Sequence, residues 1–252
     1  MPHVQVGDCA IFYEDIGLGE PILFLHGGYS RGIIAFGGQI QPFFHRYRCL
    51  LPDFRGHGRT TSVNRDWNTA LIAEDMIGFL DALSIDRAQL IGYSLGGGVA
   101  LHLAARHPER VRSLITIGCG GVADPAGSED FEPEALLRNG QTDFIERIRS
   151  LHLDAHGGDW AHHMRQSVLD WRMYPALSDA DWKRLTMPMF CIAGETDAYA
   201  SAQRLADIQA RCSQARTWIV PGCGHRPHMP TDSVKEVNGR MLAFLAELDA
   251  MT

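Results

Sequence analysis

LIGYSLGGGV, Leu90 to Val99, joins an apolar run to a glycine-rich segment of helical character and sets one serine, Ser94, at the junction. Gly92 and Gly96 stand two residues to either side, the pattern G-x-S-x-G, with a predicted strand before it and a predicted helix after it. A very tight strand-to-helix turn forces strained backbone angles on the residue at its tip. Side chains at 92 and 96 would collide with the neighbouring strand and helix, so glycine is the residue that fits there. The helix N-terminus beneath the serine offers free N–H groups and a positive dipole end to negative charge that develops nearby. A glycine-rich turn with an incidental serine is the plain alternative, and the flanking strand and helix weigh against it.

A serine hydroxyl is a poor nucleophile near neutral pH. It needs a base, and the base needs an orienting carboxylate. Pro221-Gly222-Cys223-Gly224-His225 follows the last apolar run of the chain, and its glycines let His225 reach toward the other run ends. His228, three residues on in a loop stiffened by Pro227, competes for the same role. For the carboxylate, Ala193-Gly194-Glu195-Thr196-Asp197 follows the run PMFCI and favours Asp197. Glu195 comes next, as a structural acid or a less favoured catalytic one, and Asp124, after RSLITIG, is the alternative one strand earlier. Oxyanion donors are expected from the backbone N–H of Leu95 and from His26-Gly27-Gly28, with Gly28 first and Tyr29 second. His26 reads as a buttress of that loop rather than as a base.

Outward from this core the chain alternates. HVQV, a turn at Gly7-Asp8 and CAIFYED form a hairpin. PILFLHG (21–27), RCLLPD (48–53), AQLIGYS (88–94), RSLITIG (112–118), PMFCIAG (188–194) and RTWIVPG (216–222) are short, nearly continuous apolar runs that suit buried strands. Leu71, Ile72, Met76, Phe79, Leu80 and Leu83 make a helical stripe, with Asn68 or Thr69 as N-cap. Gly97 to His107 and Val234 to Leu248 are also helical in pattern, whereas 28–40 reads as a loop. Such alternation predicts a mostly parallel sheet covered on both faces. Between Ala123 and Leu185 no strand signature occurs, and Trp160, Trp171, Tyr174, Trp182 and four histidines appear. We therefore expect a core of 1–122 and 186–252 with a helical cap insertion at 123–185.

The bulk composition is compatible with this. A chain of 252 residues that is 45% hydrophobic and 21% charged suits one large globular domain. Thirty acidic against 23 basic residues, net −7 and without a basic block, argue against nucleic acid as the partner. No apolar run approaches the ~20 residues of a membrane span, and MPHVQVGDCA lacks the pattern of a secretory signal. Cys9, Cys49, Cys119, Cys191, Cys212 and Cys223 include no C-x-x-C pair and read as reduced thiols. A cytoplasmic monomer or homodimer acting on a small acyl molecule, without a nucleic-acid or membrane partner, is the expectation. His152 and His156 stand four apart, with His162-His163 close behind, a spacing that can bind zinc. No Cys, Asp or Glu completes a ligand pattern, and Asp154, Gly157, Gly158 and Asp159 fit a solvated turn, so neither a metal nor a cofactor is assigned. Tyr29, Tyr93, Trp160 and Trp171 are candidates to line the substrate pocket; the insertion's aromatic residues could equally be its own core.

HGG at 26–28, DFRGHGRT at 53–60, GYSLGGG at 92–98, GETD at 194–197 and GCGH at 222–225, in that order, resemble the α/β-hydrolase superfamily. The likeness is to its small esterase, lactonase and carbon–carbon bond hydrolase branch, and spans roughly 1–122 and 186–250. It implies the α/β-hydrolase fold: a mostly parallel eight-stranded sheet, helices on both faces and a helical cap. It implies Ser94 as nucleophile, His225 as base, Asp197 as its carboxylate, and Gly28 and Leu95 N–H as the oxyanion hole. Asp53-Phe54-Arg55-Gly56-His57-Gly58 would brace the active-site edge. A carboxylate commonly follows the family's histidine near a proline; here the chain reads RPHMP, so that acid is absent or displaced to Asp232. The expected reaction is hydrolysis of a carboxylic ester or lactone through an acyl-enzyme. Cleavage of a diketone carbon–carbon bond, cofactor-free haloperoxidase or perhydrolase chemistry, a lyase, and a non-catalytic ligand binder are the alternatives.

Overall fold

The computed structural model describes residues 2–229 and 232–250. Its strands are β1 (His3–Val6), β2 (Cys9–Ile16), β3 (Glu20–Leu25), β4 (Tyr47–Pro52), β5 (Thr61–Ser62), β6 (Ala88–Tyr93), β7 (Val111–Ile117), β8 (Met189–Gly194) and β9 (Ala215–Val220). Eight follow the path β1-β2-β4-β3-β6-β7-β8-β9, and β5 pairs with β2. Pairing is antiparallel from β1 to β4 and parallel from β4 to β9. The eight strands expected from sequence form the path. The ninth, β5, has two residues, too few for any period to show.

Both faces of the sheet are buried, for the reason the apolar runs suggest. Leu23, Leu90, Leu114 and Met189 stand in register across β3, β6, β7 and β8 and pack on one face. Their successors Phe24, Ile91, Ile115 and Phe190 pack on the other. Alternation along each strand thus fills two cores.

α1 (Gly32–Phe43) covers the second face together with a C-terminal helix, and α2 (Thr69–Ala82) and α3 (Leu95–Arg106) cover the first. The side chain of Asn68 caps α2 by accepting from Leu71 N–H. The sequence reading of 28–40 as a loop is corrected by α1. Gly37, Gly38 and Pro42 lower its helical propensity, and no side chain caps its start. Burial of Phe36 and Phe43, at roughly 1.5–3 kcal/mol each, outweighs these local preferences.

Between β7 and β8 lie α4 (Pro133–Arg138), α5 (Thr142–Leu151), α6 (Leu153–His156), α7 (Trp160–Met173) and α8 (Asp179–Arg184). Leu136, Ile145, Ile148 and Met164 form a separate small core there, and Trp160 packs against it. Asp170 of α7 accepts from Thr69 N–H (2.5 Å) and Thr69 Oγ (2.8 Å), which ties this layer to the start of α2. After β8 and β9 come α9 (Ala202–Arg211), N-capped by Ser201, and α10 (Val234–Asp249). Among the described residues no helix is long and apolar enough to cross a membrane.

Candidate active site

β6 delivers Ser94 to a turn that leaves it little freedom. Its φ of 53° and ψ of −116° are strained for a residue with a side chain. A Cβ on Gly92 would lie 2.2 Å from Gly96 O, and one on Gly96 would lie 1.9 Å from Leu25 O. Close approach of β3, β6 and α3 therefore requires both glycines. Gly97 and Gly98 N–H donate to the Ser94 carbonyl at 2.9 and 3.2 Å. Leu95 N–H opens α3, where no intrahelical acceptor exists, and the residue lines the pocket beside Ser94.

The loops after β8 and β9 bring two partners to this serine. His225 Nε2 is 3.0 Å from Ser94 Oγ, and His225 Nδ1 is 3.0 and 3.1 Å from the two Asp197 oxygens. Burial pushes the Asp197 carboxyl up, but hydrogen bonds from His225 and from Tyr199 and Ala200 N–H outweigh it and hold the group below its ordinary value. An ionised, buried acceptor fixes the imidazole with its proton on Nδ1 and its lone pair toward the serine.

The competing candidates lie elsewhere. Asp124 pairs with Arg204 at 2.5 Å, and Glu195 is exposed and accepts from Gly222 N–H. His228 is fully buried between Phe36 and Tyr93, away from Ser94. Asp232 is exposed. Tyr93 has two roles: its ring packs on His228 and His225, and it forms part of the pocket wall.

Gly28 sits beside Leu95, whose side chain would lie 3.6 Å from a Cβ built on it. His26 is the buttress behind that loop. It is fully buried, takes Phe54 N–H on Nε2 (3.0 Å) and donates from Nδ1 to Gly27 O (2.9 Å). Burial pushes its pKa down to about 4, so the ring is neutral with one fixed tautomer. The 53–58 segment braces the same edge: Asp53 accepts from Gly32 and Arg59 N–H, and Arg55 pairs with Asp75 at 2.8 Å.

A cavity of about 470 Å3 opens over Ser94. Gly28, Tyr29, Tyr93, Leu95, Trp171 and His225 line it. Trp160 does not, which corrects the expectation: it packs with Leu136, Ile148 and Met164 instead. Sequence reasoning missed Phe131, Phe144 and Tyr199 on the walls, and the polar groups Arg147, Arg204, Arg226 and Asp170. Burial raises the Asp170 pKa to about 6, against the hydrogen bonds from Thr69. Arg147 and Arg226 are in no ion pair among the described residues, and burial and then Arg226 lower the pKa of Arg147. Of the four histidines in this stretch, His152, His156 and His163 are buried, while Asp154, Gly157 and Asp159 are exposed as a solvated turn requires. Among the described residues no group of three or more His, Cys, Asp or Glu is arranged to hold a metal ion.

Comparison with known proteins agrees with this fold. A family model described as the alpha/beta hydrolase family matches residues 22–239. The 2-hydroxy-6-oxononadienedioate/2-hydroxy-6-oxononatrienedioate hydrolase of Comamonas testosteroni is 36% identical over 246 residues, 85% of this chain and 84% of that protein. The 2-hydroxymuconate semialdehyde hydrolase of Pseudomonas sp. (strain CF600) is 38% identical over 116 residues, and the match spans 41% of its length. The enol-lactonase from Burkholderia xenovorans LB400 shares the fold, with a TM-score of 0.77 at 18% identity over 97% of this chain and all of that one.

Proposed function

The chain belongs to the alpha/beta hydrolase family, and on that premise we propose that it hydrolyses a carboxylic ester or lactone by covalent catalysis at Ser94. The supporting observation is the unbroken relay from Ser94 Oγ through His225 to Asp197, with both links at 3.0 Å. Ser94 Oγ attacks the substrate carbonyl as its proton passes to His225 Nε2. The carbonyl oxygen becomes an oxyanion bonded by Leu95 and Gly28 N–H, donors of a kind worth about 10²–10³ in kcat each. The carbonyl re-forms, the bond to the leaving oxygen breaks, and His225 returns the proton to that oxygen. Water, deprotonated by His225, then attacks the acyl-enzyme and releases the acid. Asp197 stays ionised throughout, consistent with its lowered pKa.

Short-chain p-nitrophenyl esters test this directly. Wild type should turn them over and Ser94→Ala should not; equal, slow hydrolysis by both would remove Ser94 from the mechanism.

One observation favours a second reading, cleavage of a diketone carbon–carbon bond. Arg147 and Arg226 place on the pocket wall two cations that are in no ion pair among the described residues, a setting for a substrate carboxylate. The Comamonas relative is named for dienedioate substrates, which carry such groups. Turnover of vinylogous 1,5-diketones far above that of esters would establish this reading over the first.

A further inference from the structure

The turn after β3 has two buried imidazoles on one side and the pocket on the other. Ser30 N–H donates to Gly27 O (3.2 Å), which makes Gly28 and Tyr29 the central residues of a β-turn. Neither has a positive φ, as a type I turn requires. In that conformation successive N–H groups point to the same side, as they do at the start of a helix. The peptide that carries the Gly28 N–H is held by its carbonyl, Gly27 O, against His26 Nδ1 at 2.9 Å. The next peptide, which carries the Tyr29 N–H, has its carbonyl, Gly28 O, at 3.0 Å from His57 Nε2. The two rings are fully buried, with centroids 5.2 Å apart. C=O and N–H of a trans peptide point in opposite directions. Anchoring both carbonyls on the histidine side therefore turns both N–H groups away from it. Neither N–H has an acceptor among the described residues, and Gly28 and Tyr29 both line the cavity with Ser94 and Leu95.

We infer that the Tyr29 N–H is a third oxyanion donor beside those of Gly28 and Leu95, and that His57 is the positioning residue that aims it. The inference rests on the serine chemistry proposed above.

His57 is in turn held from the cap helices. His163 of α7 donates from Nδ1 to Gly56 O (2.9 Å), and His152, between α5 and α6, accepts from Gly58 N–H (2.9 Å). Both neighbours of His57 in the chain are thereby fixed, and the rings of His152 and His163 stand 5.2 and 4.8 Å from its own. Both nitrogens of His57 face carbonyls, Arg55 O at 2.9 Å and Gly28 O at 3.0 Å. Burial, then His163 and His26, hold its pKa well below the ordinary value, so the neutral ring has one proton to give. The Nε2–H tautomer serves Gly28, and a hydrogen bond to that carbonyl polarises the whole peptide and strengthens its N–H as a donor.

Enzyme labelled by a fluorophosphonate provides the measurement, because the adduct holds a phosphoryl oxygen where the oxyanion forms. In heteronuclear NMR spectra the amide protons of Gly28, Leu95 and Tyr29 are expected to move downfield together. A Tyr29 amide left in place while the other two move overturns the third donor. If Ser94 is not labelled, the serine-hydrolase reading falls, and this inference with it. His57→Gln keeps an amide N–H near the position of Nε2, and His57→Asn one near Nδ1. His57→Asn should lower kcat on the order of 10-fold to 100-fold at nearly constant KM, below the full loss of an oxyanion donor, and His57→Gln should recover most of it. Equal kcat in the two variants, whether normal or reduced, overturns the positioning role.

Discussion

Gly96→Ala tests whether the serine turn is held by close packing. A Cβ at 96 would stand 1.9 Å from Leu25 O, 2.4 Å from Leu25 C and 2.7 Å from His26 O, all backbone atoms that have no rotamer to change. To reach ordinary contact at 3.4 Å, the end of β3 and the first turn of α3 must part by about 1.5 Å. Overpacking of this kind costs about 1–3 kcal/mol or more. In a chain of this size that corresponds to a fall in Tm of roughly 2–12 °C. The two segments carry the Gly28 and Leu95 N–H groups, so parting them also opens the oxyanion hole. A displacement of about 1 Å at such a site costs on the order of 100-fold in kcat. Gly98→Ala, two residues along the same helix, is the internal control. Its Cβ would meet only Pro175 and Thr69 side chains at 3.7 Å, so it should stabilise by about 0.5–1 kcal/mol through helix propensity. Thermal melts with ester kinetics on both variants decide the matter. If Gly96→Ala melts at the wild-type temperature with wild-type kcat, or if both variants shift alike, close packing at this turn is not the constraint.

Two further outcomes follow from the site. Asp197→Asn should lower kcat by about 10⁴-fold by offering His225 the wrong hydrogen-bonding partner. Asp124→Asn, which releases Arg204, should act on KM instead, and the reverse pattern would exchange their roles. The buried histidines should make the protein acid-sensitive. Burial pushes His26 to about 4 and His163 to about 3, so folded rings stay neutral while the unfolded chain takes up protons below its ordinary histidine pKa. Their contribution to stability is complete above about pH 6.5 and declines as pH falls toward those folded values. Asp170, raised to about 6, works in the opposite direction as it protonates. Between pH 7 and 5, His163→Phe should remove about 2 kcal/mol of the pH dependence seen in urea unfolding. Parallel pH–stability curves for wild type and variant would refute the assignment.

What can be read in the chain alone is what short segments decide. Gly92 and Gly96 are dictated by a clash within a few residues of Ser94, and the apolar runs carry their strand identity in their own composition. The Ser94, Asp197 and His225 loops each follow such a run, so the triad could be assembled on paper from parallel strand ends. The helix at Gly32–Phe43 could not, because Gly37, Gly38 and Pro42 oppose it locally and only burial of Phe36 and Phe43 against the sheet overrules them. The pocket could not either, since its arginines come from α5, α9 and the loop after β9. The histidine stack likewise joins rings from the 53–58 segment to rings about a hundred residues later. Trp160 and Trp171 show the limit most clearly. Both belong to α7, eleven residues apart, a spacing that returns to nearly the same face of a helix. Periodicity therefore cannot tell them apart. They lie about 16 Å apart along the helix axis, and the path of that axis sets Trp160 over the core of the helical layer and Trp171 over the serine. Residue spacing governs which face a side chain shares, while only the packing of whole elements governs what that face meets.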